Sequence, residues 1–248
     1  MRLNVVGSGD AFGSGGRLQT SFHIETSDAN ILLDCGATAL IGMERLQLNP
    51  NDVDAIVISH LHGDHFGGLV WWLLHAHYVS QRQKSLTILG PIGLEARLHA
   101  ATEAFYPPAQ RWQDLRFPLC FQTIAPDQPV EIHGCKVSAR EVRHPCGAPP
   151  YALRLEHGAK VLAFSGDTEW VDELQTISRD ADLFIIECHG FDAPVPWHMS
   201  WREISTKLDA ITARRILLTH MSSEMLANSD DVQNERVLLA HDGLVLSV

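Results

Sequence analysis

Short apolar, β-branched runs punctuate the chain, with longer mixed stretches between them and Gly, Pro, Asn or Asp at the joins. Such runs predict strands, and the mixed stretches predict helices. Strands are expected over residues 2–7, 22–26, 30–34, 55–59, 85–89, 151–156, 160–164, 182–187, 215–218 and 244–248, with one or two more inside 130–142. Two hairpins turn at Ser27-Asp28-Ala29 and at His157-Gly158. Helices are expected over 37–46, from His65 to about Val79, over 92–105 with Pro91 at its start, over 199–211 and near 232–240. Thr168 reads as the N-cap of a further helix. Residues 109–130, where Trp112, Phe117 and Phe121 alternate with prolines, read as a connection packed on the core. Strand-rich stretches and helices alternate in two similar halves without a Ser/Gly/Pro-rich linker, so an α/β single domain over residues 1–248 is expected.

Composition narrows the setting. The chain has 248 residues and is 45% hydrophobic, enough for a sizeable core. No apolar run reaches the roughly 18 residues a bilayer span needs. The start has no signal-peptide layout, and five scattered cysteines (Cys35, Cys120, Cys135, Cys146, Cys188) include no C-x-x-C. A cytoplasmic protein with reduced thiols is the expectation. Net charge is −11, with 19 basic against 30 acidic residues. Grip on long nucleic acid needs basic patches, so a small-molecule substrate is expected instead, with no membrane partner and a homodimer as the default assembly.

The densest chemistry follows the buried run Ala55-Ile56-Val57-Ile58-Ser59. His60, His62, Asp64 and His65 occur there within six positions. Imidazole and carboxylate suit zinc and similar divalent cations. His60 and His62 are two apart and can converge, whereas Asp64 and His65 are adjacent and point differently. Four donors fanned in two directions suggest two neighbouring metals rather than one. Three more strand ends carry a metal-type side chain: Arg143-His144, Ser165-Gly166-Asp167 and Leu218-Thr219-His220. Two divalent metals imply hydrolysis, because they acidify a shared water and stabilise both entering and leaving oxygens. Neither G-x-S-x-G nor H-E-x-x-H is present. The glycine-rich Gly7 to Gly16 stretch matches no dinucleotide or P-loop pattern, and either a flexible turn or a pocket-lining loop would fit it. His75 and His77 read as surface or packing residues.

As it stands here, H-x-H-x-D-H resembles the signature of the metallo-β-lactamase superfamily. The resemblance implies a four-layer αββα sandwich. By it, His60, His62 and His144 would hold one metal, Asp64, His65 and His220 the other, and Asp167 would bridge them. Asp64 could also orient a hydroxide held between the metals. Zinc fits the histidine count first; manganese or iron would fit the bridging carboxylate.

Val5-Val6-Gly7-Ser8-Gly9-Asp10-Ala11-Phe12, Thr20-Ser21-Phe22 and Leu32-Leu33-Asp34-Cys35-Gly36 further resemble the ribonuclease Z-like branch. Ile186-Glu187-Cys188-His189 and Trp197-His198-Met199-Ser200 are partial matches to its H-E-A-T and G-H-S-T segments. The resemblance covers nearly the whole chain and implies that His198 serves the leaving oxygen while Glu187 orients it; His189 could also reach the pocket. The tRNA-processing members carry a long arm between the lone His and the bridging Asp, yet here only 22 residues lie between His144 and Asp167. The expectation is an arm-less phosphodiesterase for a small, possibly cyclic, phosphodiester. The alternatives are a lactonase or thioesterase on the same metals, a ribonuclease Z-type nuclease, and a non-catalytic metal-binding protein.

Overall fold

The computed structural model describes residues 1–107, 114–193 and 195–248. Trp112 therefore lies outside the described residues. Two seven-stranded mixed sheets face each other. The first contains β1 (Arg2–Gly7), β2 (Ser21–Glu25), β3 (Asn30–Leu33), β4 (Ala55–Val57), β5 (Leu86–Gly90) and β6 (Leu119–Thr123), in that spatial order. The second runs β7 (Val130–Ile132), β8 (Cys135–Glu141), β9 (Tyr151–His157), β10 (Lys160–Phe164), β11 (Leu183–Glu187), β12 (Ile216–Thr219) and β13 (Val237–Leu239). The last strand, β14 (Val245–Ser247), leaves the second half and pairs antiparallel with β1, Arg2 opposite Ser247.

Both sheets have one logic. Their early strands are antiparallel hairpins, and their later ones, β3 to β6 and β10 to β13, are parallel. Parallel strands covered on both faces carry continuous apolar runs. The two-residue side-chain period then sorts each run between two cores. In β4, Ala55 and Val57 enter the core between the sheets, while Ile56 faces the helices. In β11, Leu183 and Ile185 face inward, and Phe184 and Ile186 outward. Phe22 and Phe164 meet edge-on across the central core, ring centres 5.7 Å apart.

The outer layers are helical. Outside the first sheet pack α1 (Ala39–Arg45), α3 (Gly68–Tyr78) and α4 (Leu94–Phe105), with the one-turn α2 (Gly63–Phe66) just ahead of α3. Outside the second pack α5 (Glu173–Ile177), α6 (Trp201–Lys207) and α7 (Ser223–Ala227). Three apolar layers between four structural ones make the αββα sandwich. Among the described residues, no helix is long and apolar enough to cross a membrane.

The structure departs from the sequence expectations in four places. Residues 232–240 form no helix: Val237-Leu238-Leu239 instead lie parallel to β12, with Ile216 opposite Val237, because an open sheet edge satisfies their backbone groups. Thr168 caps no helix. Its amide donates to Glu187 Oε1 at 2.8 Å and its hydroxyl accepts from the amide of Arg143 at 3.0 Å, so it ties two strand ends, and the next helix waits until Glu173. Part of the connection over 109–130 is β6, paired with β5 from Leu86 opposite Leu119. Pro91 lies in the turn before α4, which Gly93 opens in the left-handed region.

Candidate metal centre

The seven donors meet at one end of the sandwich, beyond the carboxyl ends of strands from both sheets, where α/β sheets commonly bind ligands. β4 delivers the first four. Ile58-Ser59 continues the buried run to His60, and the chain stays extended at His62, which precedes α2. Gly63 begins α2, whose single turn carries Asp64 and His65, and the His65 ring lies 4.1 Å from that of His60. A close approach fixes this turn. The Gly68 amide donates to Cys35 O at 2.9 Å, and a Cβ on Gly68 would lie 2.1 Å from Gly36 O, so only glycine fits. The second sheet adds His144 after β8, Asp167 after β10 and His220 after β12. Gly166, at φ 59°, makes the turn that presents Asp167.

The donors fall into two groups. The ligand atoms of His60, His62 and His144 lie within 4.8 Å of one another, and so do those of Asp64, His65, Asp167 and His220. Asp167 sits between them, with Oδ2 3.8 Å from His60 Nε2 and 3.9 Å from His144 Nε2 on one side. On the other, its Oδ1 is 3.2 Å from His65 Nε2 and its Oδ2 3.3 Å from His220 Nε2.

Whether this set suits a cation can be judged from its orphan atoms. His60 Nε2, His65 Nε2 and Asp167 Oδ1 are buried without a hydrogen bond, although they converge. Buried polar atoms almost always find partners, and lone pairs aimed at a common point fit a cation. The neighbouring polar groups orient them. His65 Nδ1 donates to Asp34 Oδ2 at 2.7 Å, which leaves Nε2 facing the cluster. Asp34 also accepts from the Ser59 amide and hydroxyl, both at 2.7 Å. That hydroxyl in turn accepts from His60 Nδ1 at 3.1 Å, so both rings are turned the same way. His144 Nδ1 donates to Trp197 O at 2.9 Å, pointing Nε2 at His62 Nδ1, 2.9 Å away. Asp34, Trp197 and His220 all adopt left-handed backbone, φ 56°, 69° and 59°, a conformation that costs a non-glycine residue energy.

Charge is concentrated here. Burial pushes His220 down, but Asp167 foremost and Asp64 outweigh it, lifting it to about 9. His65 is likewise raised against burial by Asp167 and Asp64. Burial works to raise both carboxylates too, yet His65 holds Asp64, and His220 with His65 hold Asp167, below the usual range. Burial, reinforced by His65, keeps His60 neutral. Strong opposed perturbations in one pocket mark functional sites.

Beside the donors lies a cavity of about 470 Å³, lined among others by His62, Asp64, His144, Asp167, His198 and His220. His198 faces it. Its Nδ1 donates to Glu187 Oε1 at 2.9 Å, and its ring stacks 5.4 Å from that of His220. Glu187 is fully buried at the end of β11, where the Thr168 and Met199 amides also donate to it. Burial lowers His198, but the bond and charge of Glu187 more than reverse this.

His189 also lines the cavity, 4.9 Å from the His198 ring, with its Nδ1 buried and unpartnered. The glycine-rich loop is a pocket wall, contributing Ala11 and Phe12. Sequence reasoning missed Asp34 as a support, although a carboxylate closing an apolar strand was its signal. Cys146, near His144, is buried with its thiol 3.0 Å from Ala148 O.

Known proteins place this arrangement. The chain is 25% identical to the probable metallo-hydrolase YhfI of Bacillus subtilis, across 99% of each chain. The crystal structure of YhfI superposes with a TM-score of 0.79. A ribonuclease Z of Methanosarcina acetivorans is 24% identical, over 100% of this chain and 98% of its own. A diphosphatase of the PhnP family shares the fold at a TM-score of 0.80 and 18% identity, over 100% of this chain and 97% of its own. Fold, clusters and relatives define a metal-dependent hydrolase with the metallo-β-lactamase fold, whose His/Asp clusters are suited to divalent metal ions. More narrowly, residues 1–244 match the family model described as anti-Pycsar protein Apyc1, and the chain belongs to that family.

Proposed function

We propose that the protein is a two-metal phosphodiesterase acting on a small, possibly cyclic, phosphodiester. His60, His62 and His144 would hold one cation, Asp64, His65 and His220 the other, and Asp167 both; five histidines favour zinc. Bound there, the cations would supply an activated water and a sink for negative charge. The remaining work falls to side chains. Asp64 sits at the cavity wall, where its second oxygen can orient the attacking water. His198, whose protonated form Glu187 favours, gives its proton from Nε2 to the departing oxygen, since Nδ1 is committed to Glu187.

The observation that carries this reading is His198 on the cavity wall, backed by the buried Glu187. An ester of phosphorus with a poor leaving group needs such an acid. Long nucleic acid is not proposed as substrate. The 22 residues between His144 and Asp167 are used by the β9–β10 hairpin, and the net charge of −11 opposes a polyanion.

The test is a panel of bis(p-nitrophenyl) phosphate, cyclic nucleotides, acyl-homoserine lactones and acyl thioesters, after chelation and reloading with zinc or manganese. Turnover of the diesters that vanishes with chelator and returns with metal is expected. Carboxyl-ester activity above diester activity would overturn the phosphorus reading.

A further inference from the structure

His62 lacks a support that three other donors have. His60, His65 and His144 each direct Nδ1 at a fixed oxygen outside the donor set, on Ser59, Asp34 and Trp197. Among the described residues the His62 ring has a hydrogen-bond neighbour only in His144, itself a candidate donor. Its place is set through the main chain instead. The His62 carbonyl accepts from the amides of His65 and Phe66, both at 3.0 Å. The carbonyl before it, that of Leu61, accepts from Nη1 of Arg97 on α4 at 3.3 Å. The same nitrogen donates to Cys146 O at 2.8 Å, and Nη2 donates to Gly147 O at 3.3 Å. Cys146 and Gly147 follow His144, so one guanidinium bridges the His60–His62 segment of the first sheet to the His144 segment of the second. At their bases the two segments are joined by the Tyr151 amide, which donates to Ser59 O at 3.1 Å. Between the histidines the join is Arg97.

Helix stability does not explain an arginine here. Near the amino end of α4 its charge opposes the helix macrodipole. Among the described residues its side-chain hydrogen bonds run to carbonyl oxygens and none to a carboxylate. A planar fork spans acceptors on two segments, which a single ammonium does less well. The neighbouring loop leaves room for it: a Cβ on Gly147, at φ 74°, would lie 2.8 Å from Nη2. We infer that Arg97 is a positioning residue for the candidate metal centre, setting the spacing of His62 and His144 and with it the affinity of the three-histidine site. It acts through main-chain carbonyls, at one remove from the cation. The inference rests on the two-cation reading above.

The experiment measures zinc affinity by chelator competition on metal-stripped wild type, Arg97→Ala, Arg97→Lys and His144→Ala. Wild type takes up two zinc ions, and the affinity lost in His144→Ala marks the three-histidine site. Arg97→Ala weakens that affinity about tenfold, the lower end of what losing an outer partner of a metal ligand costs, and leaves the other site unchanged. Arg97→Lys keeps the charge and the helix but not the fork, so its affinity falls between; it carries the comparison where Arg97→Ala does not fold. Both sites weakened alike, together with a lower melting temperature of the zinc-free protein, would make Arg97 a general prop of the fold and overturn the positioning role. Affinities unchanged in both Arg97 variants overturn it too, and leave the two-cation reading standing. A wild type that holds fewer than two divalent ions, whether offered zinc, manganese or iron, overturns both.

Discussion

The two sheets furnish the candidate metal centre in different ways. The first contributes His60, His62, Asp64 and His65 from one loop and one helical turn, all placed by the exit of β4. The second contributes His144, Asp167 and His220 singly, from the ends of three strands, with Glu187 from a fourth between them. A donor set gathered in six residues keeps its geometry if that loop is kept. A set spread over neighbouring strands keeps its geometry only while the sheet register holds, since Phe164 pairs with Ile185, and Glu187 with Thr219. The first half is a local motif, and the second is a property of the packed sheet. Asp167 belongs to the second but touches both donor groups.

That contrast breaks hardest at Asp167. Its replacement by Ala is expected to lower kcat at least about a thousandfold, the equivalent of several kcal/mol of charge stabilisation, and to reduce metal content measured by elemental analysis. Full metal loading with wild-type turnover would mean that the two groups work independently. Next in size is His198→Ala, which removes the proposed acid but no donor. It should cost about 10²–10⁴-fold in kcat with metal content intact, the span usual for general acid catalysis. A variant that instead lost its metal would make His198 a ligand. Smallest is Asp34→Asn, which keeps the volume but weakens the hold on His65 Nδ1. Metal affinity, read by chelator competition, should fall about 10–100-fold. An unchanged affinity would show that the first sheet's turn positions His65 without Asp34.

The same contrast explains what was legible in the sequence. His60 to His65 could be read from spacing, because their geometry is set within one loop. His144, Asp167 and His220 are single residues in unremarkable contexts. Only strand ends and a family resemblance drew attention to them. Asp34 was passed over because its partner lies 31 residues away, a pairing that exists only once β3 and β4 lie side by side. The strand architecture came through since apolar runs record two-sided burial. The errors fall where tertiary pairing overrode local preference. Val237-Leu238-Leu239 has a pattern compatible with a helix but completes a sheet edge, and Thr168 looks like a cap but serves Glu187. The glycine-rich stretch that carries Phe12 fitted a flexible turn or a pocket wall equally well, and only the packed structure, with Ala11 and Phe12 lining the cavity, decides between them.

One connection bears on how the enzyme is made. Asp242 holds Ser8 across a separation of 234 residues, and just beyond it β14 lies down on β1. During synthesis the histidine loop, the hairpins and most strands emerge while the first strand still has an empty flank. The loop at the mouth of the site is therefore clasped only after residue 242 has emerged, and a nascent protein can own every candidate donor before that wall of the cavity is fastened.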